Sequence, residues 1–198
     1  SHIGYMVFGV SVATQLGLIG TIFYVVHHIT VQSALFLVAG LIERQGGSTS
    51  LDRLGGLAKA SPVLAVLFFV PAVNLAGIPP FSGFLGKVGL MQAGVEYGGP
   101  LAYTLVGAAA ATSLLTLYAI AKIWSRAFWR RATDEPARGG GVTTALPVSM
   151  VTPTAVLVGF GLSLSVFAGP LYGFADRAAE VLRAQTPYIE AILGEDAP

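Results

Sequence analysis

Apolar residues fill this chain in long blocks separated by a few short polar clusters. Charged side chains are absent between Ser1 and Glu43, between Glu96 and Lys122, and between Arg138 and Asp176. Each block holds at least the roughly 20 apolar residues that a membrane-spanning helix needs. The pattern predicts a short apolar stretch over Ser1–Ala13, a turn over Thr14–Gly17 and a full span over Leu18–Ile42. A polar loop follows to Lys59, then apolar helical sequence over 61–96, a Tyr97–Pro100 turn and a span over Leu101–Ile123. Lys122–Arg138 opens a second polar loop, Pro147–Tyr172 forms the last span, and a tail follows from Phe174. Ser1–Ala13 is too short to cross alone and reads as the remainder of a longer helix. The chain therefore reads as part of a longer polypeptide.

One block cannot be a regular helix throughout. Within Asn74–Lys87, Pro79 and Pro80 remove two backbone donors and push the residues before them out of helical geometry. Gly77, Gly83 and Gly86 loosen the backbone further. Lys87 is the only charged residue between Lys59 and Glu96. The sequence thus predicts an apolar helix broken at Pro79-Pro80, with a lone cation just past the break.

Charge decides whether 61–96 is one span or two. As a single interrupted span it places the 43–60 and 122–146 loops, which carry most of the lysines and arginines, on the same side. The positive-inside rule then puts both in the cytoplasm. Two spans would send the most basic loop outside, so one discontinuous helix is the better reading. The expected architecture is all-α: a polytopic membrane bundle over 1–172, followed by an acidic tail over 173–198. That tail (Ala179, Leu182, Ile189, Ile192 and Leu193 on its apolar side) has the make-up of a surface-lying amphipathic helix. Only 11% of residues are charged against 54% hydrophobic, whereas a soluble domain carries about a quarter charged. The net charge of +1 is uninformative about partners, and no basic patch suggests nucleic acid. With no cysteine, disulfides, thiolate metal sites and iron–sulfur clusters are excluded. No cofactor is expected.

Lys87 is the first candidate for chemistry. A lysine deep in a bilayer is costly and normally faces a bundle interior or a wet cavity, where its amine can exchange a proton. The competing reading is a lysine snorkelling to an interface. Tyr24, His28 and Gln32 recur at intervals of four, so they share one face of the second helix. His27 sits beside them, either in the same relay or as a packing residue. Asn74, one turn before the break, and Gly77, Pro79, Pro80 and Gly83 would support the broken backbone. Gln15, Gln92, Thr112 and Ser113 carry weaker signals, and His2 is either polar lining or without a role. Lys122 and Arg126 read as interface anchors. No metal site is predicted, because no carboxylate or cysteine joins the histidines inside the membrane.

Three segments carry a family resemblance: Ser1-His-Ile-Gly-Tyr-Met6, His27-His-Ile-Thr-Val-Gln-Ser-Ala-Leu-Phe-Leu-Val-Ala-Gly40 and Ala76-Gly-Ile-Pro-Pro-Phe-Ser-Gly-Phe-Leu-Gly-Lys87. They resemble the antiporter-like, proton-translocating membrane subunits of respiratory complex I and of multisubunit Na+/H+ (Mrp-type) antiporters. Leu51-Asp-Arg-Leu-Gly-Gly56 draws the chain toward the Mrp branch. The resemblance implies the C-terminal part of a fourteen-helix subunit built from two inverted repeats, each with a broken helix. It implies that Lys87 belongs to a terminal proton half-channel and His28 to a central polar axis. Gln32 departs from the pattern, since many relatives have a lysine there; glutamine can hold a water wire but cannot change charge.

The expected function is therefore proton conduction in the plasma membrane, within a cation (Na+)/proton antiporter complex and beside other subunits. Two alternatives stay open. One is a non-redox pumping subunit of complex I (NADH-quinone oxidoreductase) or of a membrane-bound hydrogenase. The other is a scaffold subunit whose polar residues are incidental.

Overall fold

The computed structural model describes residues 1–131 and 146–184, together with Ile192. Every regular element among the described residues is a helix. In chain order these are α1 (His2–Val12), α2 (Gln15–Gly46), α3 (Leu57–Ala60), α4 (Pro62–Ala76), α5 (Ser82–Tyr97), α6 (Pro100–Ile123), α7 (Val148–Val166) and α8 (Ala168–Arg183). A π-helical turn over Trp124–Trp129 prolongs α6. Three helical stretches are long and apolar enough to cross a membrane: Gln15–Gly46, Pro100–Trp129 and Val148–Val166.

α2 is the axis on which the other elements are laid. Thr14 caps its start by accepting the Gly17 N–H, and Gly47 ends it in the left-handed conformation at φ 66°. Along α2, Gly20 faces Leu90, Phe23 and Tyr24 face Gly86, and His27 faces Gly83. Beyond the break, Leu41 and Ile42 share a core with Leu64, Ala65 and Phe68. Partner numbers fall steadily as α2 numbers rise, so α5 and α4 lie end to end as one rod antiparallel to α2. At 1.5 Å per residue neither half, of 15 and 16 residues, spans the hydrocarbon core of about 30 Å alone. The expectation of a single discontinuous span is met. α6 runs back along the same rod, with Val106 facing Gly94 and Trp124 stacked on Phe68 at 6.3 Å.

Several boundaries differ from expectation, each for a packing reason. α2 continues past Ile42 to Gly46 because Gln45 is buried there. The helix after Leu101 does not stop at Ile123: Ala127 and Phe128 are fully buried against Leu54, Leu57 and Phe68, which holds the next turns helical. Lys122 and Arg126 therefore lie on helical turns rather than in a loop. Arg126 pairs with Asp52 at 3.0 Å, and Arg130 donates to the carbonyls of Leu51, Asp52 and Leu54. The rest of the expected second loop, residues 132–145, lies outside the described residues.

The last span also departs from the single helix expected over Pro147–Tyr172. It turns at Phe167, whose φ of −98° and ψ of 28° separate α7 from α8. Pro170 lacks the N–H that would otherwise reach back to Val166, and proline is a usual cause of such kinks. α8 carries the start of the expected tail, from Phe174 to Arg183, as helix packed against α2. Tyr172 stacks on Phe23 at 4.4 Å, Gln15 donates to the Asp176 carboxylate at 2.8 Å, and Ala175 and Ala179 are buried. Leu182 and Ile192 are exposed, and Ile189 and Leu193 lie outside the described residues.

Glycine sets the spacing between α2 and α5. A Cβ on Gly86 would stand 2.8 Å from the Tyr24 ring, whereas one on Gly107, on the exposed face of α6, meets nothing within 4 Å. Gly86→Ala is expected to destabilise the protein by about 1–3 kcal/mol through overpacking. Gly107→Ala is expected to leave the thermal midpoint of the detergent-solubilised protein unchanged, and melting curves of both variants check the pair.

Candidate functional site

Interrupting a helix inside a membrane frees four carbonyls at one end and four N–H groups at the other, with no bulk water to receive them. At the α4 end Gly77 adopts a left-handed conformation at φ 83°. Its N–H reaches Asn74 O at 3.1 Å, and the Ile78 N–H reaches Val73 O at 3.2 Å. This paired closure of a helix end accounts for the carbonyls of Val73 and Asn74. The two that remain, Leu75 O and Ala76 O, accept hydrogen bonds from Lys87 Nζ at 3.0 and 2.9 Å. Helical side chains lean toward their own N-terminus, which is how Lys87, on the second turn of α5, reaches back over the break.

The α5 end is closed as completely. The Ser82 N–H donates to Ser165 Oγ on α7 at 2.8 Å, and the Gly83 N–H donates to Asn74 Oδ1 at 3.0 Å. Phe84 and Leu85 donate to Phe81 O. Gly83 has to be glycine, because a Cβ there would run into Asn74 O and the edge of the His27 ring. The Pro79–Pro80 peptide between the two ends is cis.

Lys87 is only 3% exposed, and its Nζ stands 5.7 Å from the centre of the Tyr5 ring. The carbonyls it meets are the negative end of the α4 dipole. An ammonium has three N–H donors and a neutral amine two. The two carbonyls can therefore be satisfied in either protonation state, leaving one proton free to come and go.

Around this centre the aromatic and imidazole side chains form a connected patch. His27 is fully buried and its Nδ1 lies 2.9 Å from Ser82 Oγ. His2 Nδ1 lies 2.7 Å from the Tyr24 hydroxyl, and the His2 and His28 rings stack at 4.8 Å. Tyr24 and His28 stand 6.4 Å apart, and Tyr5 packs on Tyr24 at 5.5 Å. Tyr5 hydrogen-bonds Ser113 at 2.7 Å and the Ala109 carbonyl on α6. Gln32 stands apart from this patch. It lines a largely apolar cavity of about 530 Å3 with Leu35, Phe68, Leu75 and Thr116.

The structure thus joins Lys87, Asn74, Gly77, Gly83 and His27 at the break and brings Tyr24 and His28 into the adjoining patch. Sequence reasoning gives little weight to His2 and names neither Tyr5, Ser82 nor Ser165. His2 and Tyr5 are three residues apart on α1 and so share a face, a spacing that was available as a signal. Ser82 and Ser165 offer none, since serine is common in membrane helices. No cluster of three metal-ligating side chains occurs among the described residues.

Known proteins carry the same segment. Residues 1–116 match the model of the family described as NADH:quinone oxidoreductase/Mrp antiporter, TM. The chain is 39% identical to the D subunit of the Na(+)/H(+) antiporter of Alkalihalophilus pseudofirmus, over 98% of this chain and 38% of that protein. It is 35% identical to the corresponding protein of Bacillus subtilis, again over 98% of this chain and 38% of the relative. Among solved structures it is similar to a chain of the Mrp complex from Dietzia sp. DQ12-45-1b, with a TM-score of 0.83 and 32% identity. That likeness covers 98% of this chain and 43% of the other. The chain spans less than half the length of each of these relatives. A helix broken at Pro79-Pro80, a buried lysine across the break and these likenesses lead to one assignment: the chain belongs to the NADH:quinone oxidoreductase/Mrp antiporter family of membrane proteins.

Proposed function

We propose that this chain is part of the proton-conducting membrane subunit of a multisubunit Na+/H+ antiporter complex in the plasma membrane, with Lys87 as its proton-carrying amine. The observation that carries the reading is the fit of Lys87 to two backbone carbonyls, which accommodates both the three-donor and the two-donor amine. A lysine kept only for packing would have no need of an arrangement that survives loss of its charge. The names of the Na(+)/H(+) antiporter relatives supply the antiport.

In this reading a proton reaches Lys87 by way of His28, His27 and Tyr24, with water between side chains that are not in contact. Asn74, Gly77, Pro79, Pro80 and Gly83 hold the interruption open for that exchange. Gln32 serves on the α4 side as a group that holds water without changing charge. Other subunits of the complex would supply the remainder of the ion path.

Two outcomes are expected in everted vesicles containing the assembled complex, measured as Na+-dependent proton exchange with a fluorescent pH probe. Lys87→Ala lowers the rate by roughly 100-fold, the lower end of what a positioned proton donor supplies. A Lys87→Ala complex that assembles and exchanges at the normal rate sinks the proposal. Gln32→Leu lowers the rate less than Lys87→Ala does, because it removes a water contact and not an exchangeable charge.

A further inference from the structure

The hydrogen bonds at the break bear on where the proton sits on His27. The Gly83 backbone N–H can only donate, and it lies 3.0 Å from the Asn74 side chain. That contact requires the amide oxygen of Asn74, not its nitrogen, to face α5. The Ser82 hydroxyl lies 3.2 Å from the same oxygen and is placed to donate its only proton to it. Ser82 Oγ can then only accept from His27 Nδ1, 2.9 Å away. With that bond made, the proton belongs on Nδ1 and the lone pair on Nε2.

Nε2 is the atom left over. His27 is 0% exposed, and Nε2 has no hydrogen-bond partner among the described residues. A buried acceptor without a partner costs stability, so its retention calls for a reason. Gly83 packs against it without offering a partner: a Cβ there would stand 3.0 Å from both Nε2 and Cε1.

We propose that the Gly83–Asn74–Ser82 chain locks His27 in the Nδ1–H form, so that Nε2 stands at the helix break as a permanent proton acceptor. Ser82 and Asn74 are then positioning residues for proton entry. A proton arriving on a water molecule binds Nε2, giving an imidazolium whose Nδ1–H still donates to Ser82. The same Nε2 proton then leaves and restores the starting tautomer, with no other bond made or broken. The role in conduction rests on the proton-conducting reading above; the tautomer does not.

The test is solid-state NMR of the assembled complex in lipid with 15N-labelled histidine, His27 being assigned by the signal lost in His27→Gln. The expected spectrum shows a protonated Nδ1 and a bare Nε2 for neutral His27. A His27 protonated at Nε2 overturns the proposal. Ser82→Ala is expected to release the lock, giving Nε2–H or a mixture, and to slow exchange about tenfold. Ser82→Thr, which keeps the hydroxyl, restores both readouts. An assembled Ser82→Ala complex with tautomer and rate unchanged refutes the positioning role. A locked tautomer with normal exchange in His27→Gln refutes the acceptor role, while leaving the conducting role of Lys87 to its own vesicle measurement.

Discussion

A polypeptide inside a bilayer has no solvent to receive an unpaired peptide group, and each one left open costs several kcal/mol. Breaking a helix at mid-membrane is therefore tolerable only where side chains and local turns take up every freed donor and acceptor. In this chain the answer is divided among few groups. A left-handed glycine closes two carbonyls, Lys87 closes two more, Phe81 accepts two N–H groups, and Asn74 and Ser165 accept one each. The amine proposed to carry the proton is thus also part of what allows the interruption to exist. Structure and chemistry converge on a single side chain.

The packing on either side of that interruption is unequal. On the α4 side a large apolar core joins Val38, Leu41, Leu54, Leu57, Leu64, Phe68, Phe128 and Val158 from several elements. On the α5 side the buried cluster shrinks to Tyr5, Tyr24 and Leu90, and much of the contact is made through glycines facing aromatic rings. Aromatic rings with polar tips can pack and hydrogen-bond at once. This explains why the imidazoles and phenols gather on that side, where purely aliphatic packing would exclude them.

Features that rest on backbone sterics or on an isolated charge were legible in the sequence. Two adjacent prolines cannot continue a helix, and a single lysine in apolar sequence announces itself, so the break and the cation beside it are visible without coordinates. That both halves form one rod followed from counting charges in the loops. Features that depend on tertiary competition were not legible. The turn Trp124–Trp129 falls in the basic stretch that opens at Lys122, yet burial of Ala127 and Phe128 keeps it helical. The kink at Phe167 was hidden because Pro170 lies near the apparent end of a span, whereas α8 goes on to pack against α2. His27 and His28 differ by one position, and only the structure shows that His27 faces Ser82 while His28 stacks on His2.

The bond from the Ser82 N–H to Ser165 Oγ has a mechanical side. Ser165 sits two residues before the Phe167 kink, and Ser82 opens α5, so both interrupted rods break at one depth and are tied together there. α4 with α7 and α5 with α8 then lie on two storeys that meet at a thin polar floor, with α2 as the unbroken post beside them. Both upper elements are packed along that post, so the floor ties together helices that α2 already holds in place.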